Sequence, residues 1–259
     1  MAHGRNPGEH FRTLKKTPQS GGAIELALGN SIHIPPGAQS LLRRSIAGVA
    51  LIALCSAVAG CTTADPTVYS GLASAPQLQP NSQDETGRMP YRYKGQVDWR
   101  LYSKIIVDPV SIYNGSDNQF VKMAEGDKSL LASYMREQFT EKLRTRFAIA
   151  NIPGPATLRL RLTLTGAKTT TPVLGPFSHI DVGGGAYNAV QAARGREGSM
   201  TGSVNYAVEL YDTVSNRLLL AYVTKQYPNA MNVGASFSSL AASKVGIRKG
   251  ADALLVEMK

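Results

Sequence analysis

Arg159 and Arg161 stand two residues apart in Leu158-Arg159-Leu160-Arg161-Leu162, so an extended strand carries both on one face. Two guanidinium groups in that array suit an anionic partner surface or cross-strand pairing to acids. Tyr187, Arg194 and Arg196 fall in a long irregular stretch, 167–200, which is where a binding edge is expected in a compact domain. Asp108 closes a β-branched run and precedes Pro109. It reads as a strand-terminating turn residue or, folded against Asp181, as half of a carboxylate pair for hydrolysis. Beyond residue 60 the sole histidine is His179. One histidine without cysteine makes no zinc site unless carboxylates complete it, and no His-Glu-x-x-His spacing occurs, so neither metal nor cofactor is expected. No Gly-x-Ser-x-Gly is present in that part of the chain, and Ser103-Lys104 has the wrong spacing for a Ser-x-x-Lys pair. Ser239 and Ser243, near Lys244, read as small residues on a helix packing face. Asp181-Val182-Gly183-Gly184-Gly185 lacks the endings that cradle phosphate and reads as a loop.

The other chemistry-bearing residue is Cys61. It follows the longest apolar run, Ser45 to Gly60, which is itself preceded by Arg43 and Arg44. A basic stretch, a short apolar core and small residues at the end make a secretory signal. A spanning helix needs roughly 20 apolar residues, so the run is short for a permanent anchor. An uncleaved helical anchor and a buried core helix are the other readings of this run. Its Ala and Gly content and the polar sequence after it suit a core helix poorly.

Val58-Ala59-Gly60-Cys61 resembles the lipobox of bacterial lipoproteins. The resemblance implies cleavage between Gly60 and Cys61, a diacylglyceryl group on the Cys61 thiol, and a new N-terminus there. Thr62 and Thr63 follow with no Asp at the next position, which in such lipoproteins implies sorting to the outer membrane, facing the periplasm. The twin arginines lack the usual continuation of twin-arginine signals, so general secretion is expected. Cys55 then leaves with the signal, and no free thiol or disulfide remains. Residues 1–40 are polar and long for a signal n-region. They read as a disordered extension or as a misassigned start, with translation beginning near Leu41 or Leu42, since no Met lies between Met1 and Met89.

Composition sets the frame for these residues. A chain of 259 residues, 43% hydrophobic, suits one domain with tails. The formal net charge is +10, of which residues 1–60 carry six basic and two acidic side chains, leaving +6. That remaining charge makes a weak case for nucleic acid, and none is expected as a partner. The expected partners are the membrane, through the lipid, and an envelope protein; the sequence sets no oligomeric state.

The organisation expected is an extension over 1–40, a signal over 41–60, a lipidated cysteine and flexible tether over 61–95, and a globular domain over 96–259. A tether of that length has a root-mean-square span of about 30 Å and would hold the domain off the membrane. Tyr69, Leu72 and Leu78 are the residues of it able to dock locally. Lys104–Val110 predicts a strand. Leu131, Met135, Phe139, Leu143 and Phe147 recur every four residues and predict a helix over 128–149, with Asp127 as N-cap. Leu158, Leu160, Leu162 and Leu164 alternate with Arg159, Arg161, Thr163 and Thr165, predicting a strand with one apolar and one wet face. Strands over 202–212 and 217–226 are joined by Thr213–Asn216, and a helix over 236–258 closes the chain. The fold expected is α+β: a mixed or antiparallel sheet of about four strands with two helices on one face, in the order β-α-β-β-β-α.

YSGLASAPQLQP after the lipobox, YSKIIVDPVSIY at 102–113 and PGPATLRLRLTLT at 153–165 together resemble a family of bacterial lipoproteins bearing domain of unknown function 3313. The similarity spans roughly 66–257. The family's hairpin often reads Asp-x-x-Thr-Gly, and Asp212-Thr213-Val214-Ser215-Asn216 departs from it. The family brings no functional residues to carry over.

Overall fold

One twelve-residue strand, Thr157–Lys168, organises the molecule, and the elements around it are short or long according to how they meet it. The computed structural model describes residues 65–170, 182–194, 196–198, 202–230, 232 and 238–259. In chain order the elements are β1 (Gln79–Pro80), β2 (Tyr91–Lys94), β3 (Lys104–Val107), β4 (Ser111–Ile112), β5 (Gln119–Val121), α1 (Glu125–Leu143), β6 (Ala148–Ile149), β7 (Thr157–Lys168), α2 (Val182–Ala193), β8 (Ser203–Asp212), β9 (Leu218–Gln226) and α3 (Ala241–Glu257). The strands form one open mixed sheet in the order β1-β2-β9-β8-β7-β3-β6. β7, β8, β9, β2 and β1 pair antiparallel in succession. β3, β4 and β5 lie in succession along one edge of β7, all parallel to it, and β6 pairs parallel with β3.

The fold is α+β, with α1 and α3 on the same face as expected. The leucine alternation puts Leu158, Leu160, Leu162 and Leu164 into the core, alongside Leu210, Val208 and Tyr206 of β8. Leu131, Met135, Phe139 and Leu143 of α1 and Ile247, Ala251 and Leu254 of α3 close over them. The alternation stops at Thr165, the extra residue of a β-bulge between Leu164 and Gly166. One extra residue reverses the parity of a strand, so Ala167, not an even-numbered residue, returns to the core. Gly166 is needed there because a Cβ would lie 2.6 Å from the Gln119 carbonyl oxygen of β5.

Four expectations change. The sheet has nine strands among the described residues, not four: β3, β7, β8 and β9 are the expected ones, and β1, β2, β4, β5 and β6 are two to four residues long and too short to show a period. A third helix, α2, occupies part of the stretch expected to be irregular. α1 begins at Glu125 with Ala124 at the cap position and no side-chain cap, so Asp127 is a first-turn acid facing the helix dipole, not the cap.

The largest change concerns residues 65–95. The outer face of the sheet is not wet over β8 and β9: Ala207, Ala221 and Val223 are covered by Tyr69, Leu72, Leu78 and Tyr113. The two alanines leave room for the tyrosine and leucine side chains to approach the sheet. Polar contacts fix the same segment. The Tyr69 hydroxyl donates to Gln119 Oε1 at 2.9 Å, the Gly71 amide to the Tyr113 hydroxyl at 3.2 Å, and the Ser74 amide to Glu209 Oε1 at 2.7 Å. β1 and β2 then add it to the sheet edge. From Asp65 onward the expected tether is a strap, and the folded domain begins some thirty residues before residue 96.

Among the described residues no helix is long and apolar enough to cross a membrane. Gly60, Cys61, His179, Asp181 and Phe237 lie outside the described residues, as does the whole apolar run.

Candidate functional site

Arg159 and Arg161 project from the outer face of β7, beside the area that the strap covers. β3 pairs parallel with this stretch, Ile106 opposite Arg159 and Val107 opposite Leu160, so the next residue of the chain, Asp108, reaches the arginines. The Asp108 amide continues the ladder by donating to the Leu160 carbonyl at 3.0 Å. Its carboxylate lies between the two guanidinium groups, Oδ1 3.5 Å from Arg159 Nε and Oδ2 3.6 Å from Arg161 Nε. Of the two uses for these arginines, pairing to an acid is the one formed. The two side chains nonetheless keep 32% and 41% of their surface exposed.

β8 supplies the other half of the patch. Arg159 stands opposite Tyr211, and Arg161 opposite Glu209. The Arg161 guanidinium lies 4.9 Å from the centre of the Tyr211 ring, a cation–π distance. Burial first, and the Glu209 carboxylate after it, push the Tyr211 hydroxyl up to about 12, so it stays protonated at neutral pH. Glu209 is buried and receives the Ser74 amide of the strap. The patch is therefore a chain of contacts from Asp108 through Arg161 and Tyr211 to Glu209 and the strap. Glu209 and Tyr211 belong to no motif; they alternate with Val208 and Leu210, which face the core. The same period of two places them on the face of Arg159 and Arg161.

The other expected binding residues are elsewhere. Arg194 and Arg196 are both exposed, just beyond the C-terminal end of α2. Glu197, next to Arg196, forms a 2.7 Å ion pair with Lys225, whose register partner is Asn205. Six residues of β8 separate Asn205 from Tyr211, about 20 Å along the strand. The arginines of β7 and those after α2 thus occupy different places on the domain. Tyr187 lies on the α2 backbone, and its side chain is outside what is described. Asp181, the suggested carboxylate partner of Asp108, is likewise outside the described residues. Among the described residues no group of three or more His, Cys, Asp and Glu is placed to hold a metal ion. Among the described residues the sheet–helix interface is filled by the core side chains named above.

The polar anchoring of the strap and the Asp108-Pro109-Val110 segment fall inside a stretch, residues 68–254, that matches the family described as "Protein of unknown function (DUF3313)". The chain belongs to that family. No curated protein matches it. Among solved structures it is similar to a PelC dodecamer from Paraburkholderia phytofirmans, at 12% identity over 61% of this chain and 92% of that one, TM-score 0.32. It is similar to the hypothetical protein CT253 from Chlamydia trachomatis, at 11% identity over 60% of this chain and 96% of that one, TM-score 0.32. It is also similar to protein XCC0632 from Xanthomonas campestris, at 7% identity over 60% of this chain and 82% of that one, TM-score 0.30. Likeness of this order carries nothing about activity. In the DUF3313 chain the structural facts that bear on function remain the arginine patch and the strap.

Proposed function

We propose that this chain is a lipid-anchored protein of the bacterial cell envelope, acylated at Cys61 and facing the periplasm from the outer membrane, and that its domain works by binding an envelope protein partner. The observation that carries the anchor is Val58-Ala59-Gly60-Cys61 at the end of a basic-then-apolar segment. Binding is supported by the patch on the outer face of the sheet. Asp108 fixes two arginines without covering them, and Arg161 is stacked on Tyr211. Arg and Tyr side chains held in place lose little rotamer freedom on contact, which is why they dominate protein interfaces.

A photo-reactive residue at Arg161, irradiated in living cells, tests the binding role. A control at Val256, which is exposed on α3, faces away from the patch. A discrete protein adduct from position 161 and none from 256 is the expected result. Lipid adducts alone, or the same adducts at both positions, overturn the role.

A further inference from the structure

We infer that the domain stands end-on against the membrane, with the β5 end of the sheet at the lipid surface and the Thr213–Asn216 turn farthest from it. This rests on acylation of Cys61. Four Cα steps separate Cys61 from Asp65, a reach of at most about 15 Å. Asp65 is already part of the fold: its carbonyl accepts from Gln119 Nε2 at 2.8 Å, and its carboxylate lies 3.6 Å from Lys225 Nζ. Gln119 belongs to β5, which pairs with the last three residues of β7, and Lys225 lies next to the last residue of β9. Both strands therefore deliver Asp65 to the same end of the sheet. The twelve residues of β7 set the opposite end roughly 37 Å away. A leash that short keeps the β5 end near the bilayer, and the chemistry of that end, against that of the sheet faces, sets the tilt.

The chemistry of the near end suits a phospholipid surface. Val121 is half exposed, and Lys122 beside it is exposed. A groove of about 220 Å³ opens there, lined by Phe120, Val121, Ala167 and Lys168 and by the amide and hydroxyl side chains of Asn118, Gln119, Ser203 and Asn205. Apolar side chains flanked by amines match acyl chains beneath phosphate headgroups. The acids nearby are Asp65 and Glu197, both against Lys225, at 3.6 and 2.7 Å; Asp117, which accepts from the Tyr113 hydroxyl at 2.7 Å; Glu125, paired with Lys128 at 2.6 Å; and Asp127. In this orientation Arg161 stands seven residues of β7 above the near end, about 23 Å, within reach of a protein in the periplasm and clear of the headgroups.

The test uses the full chain, expressed with its signal, purified from membranes and reconstituted in phosphatidylethanolamine–phosphatidylglycerol vesicles carrying nitroxide-headgroup lipid. Val121→Cys and Lys122→Cys place a fluorophore at the near end; Val214→Cys and Ile152→Cys place it at the far end, all four at exposed positions. Palmitate incorporation is measured on the same samples. The expected result is acylated protein quenched several-fold more at 121 and 122 than at 214 and 152. Acylated protein quenched equally at both ends, or more at the far end, overturns the orientation and leaves the anchor standing. Protein without palmitate and without vesicle binding overturns both.

Discussion

Tyr69→Ala tests whether the segment after the lipidation site is part of the fold. Tyr69 is fully buried on the outer face of the sheet, edge-on to Tyr113 with ring centres 5.4 Å apart, and its hydroxyl donates to Gln119. Removing a buried aromatic side chain costs about 3–5 kcal/mol. Of that, the ring pair accounts for roughly 0.5–1.5 kcal/mol. The hydroxyl contributes about 1 kcal/mol. Tyr69→Phe isolates the hydroxyl. Its cost falls near the lower end, since Gln119 Oε1 also accepts from Asn205 Nδ2 at 2.5 Å and is not left bare. For a domain of this size each kcal/mol lowers Tm by roughly 2–4 °C, so Tyr69→Ala melts about 6–20 °C below wild type. Thermal unfolding followed by circular dichroism gives the shift, and amide exchange at residues 69–78 shows whether the strap loosens with it. A Tyr69→Ala melting point within a degree or so of wild type, with strap amides already exchanging freely in wild type, would refute the reasoning and restore a flexible tether.

Other perturbations follow from single contacts. A Cβ at Gly250 of α3 collides with the Tyr206 hydroxyl, so Gly250→Ala destabilises by about 1–3 kcal/mol in urea unfolding. The Tyr206 hydroxyl is buried without a hydrogen-bond partner among the described residues, so Tyr206→Phe is near neutral and recovers part of the loss in the double variant, the ring carbon still lying 2.8 Å from the new Cβ. Lys225→Met removes the 2.7 Å ion-pair partner of Glu197 and costs about 3–5 kcal/mol in the same assay, while adding Glu197→Gln recovers part of it. The Asp212 carboxyl is held below the usual carboxylate range by the Ser215 amide and hydroxyl, which donate to it. A folded-state pKa below the unfolded one gives stability that is present above about pH 4 and lost as pH falls through the folded value. Acid titration of the melting point therefore shows a smaller loss below about pH 4 in Asp212→Asn than in wild type; equal losses in the two proteins contradict this role.

The long elements were legible because each carries its own period. Leu158–Leu164 alternates over enough residues to fix face and partner. The four-residue spacing from Leu131 to Leu143 does the same for α1, although Phe147 joins the core from beyond the helix end. β3 was legible from its β-branched run, but β1, β2, β4, β5 and β6 were not, because a strand of two to four residues shows no period and owes its existence to the edge it meets. Tyr69, Leu72 and Leu78 were recognisable as docking residues, but the extent of the strap was not. Tyr69, Leu72 and Leu78 have no regular spacing, and their docking depends on Ala207 and Ala221, more than a hundred residues later. The signal was present on the other side: Ala207, Ala221 and Val223 make an apolar outer face that needs a cover. At the site, the period of two in β7 placed Arg159 and Arg161 together. Asp108 as their shared partner followed only from the parallel register of β3, which no local pattern encodes.

Labelling cells with palmitate and fractionating their membranes, for wild type and Cys61→Ala, measures the anchor itself. The account predicts labelled wild-type protein in the outer-membrane fraction, and Cys61→Ala unlabelled and absent from it. Unlabelled wild-type protein in the soluble fraction would contradict the anchor and everything built on it.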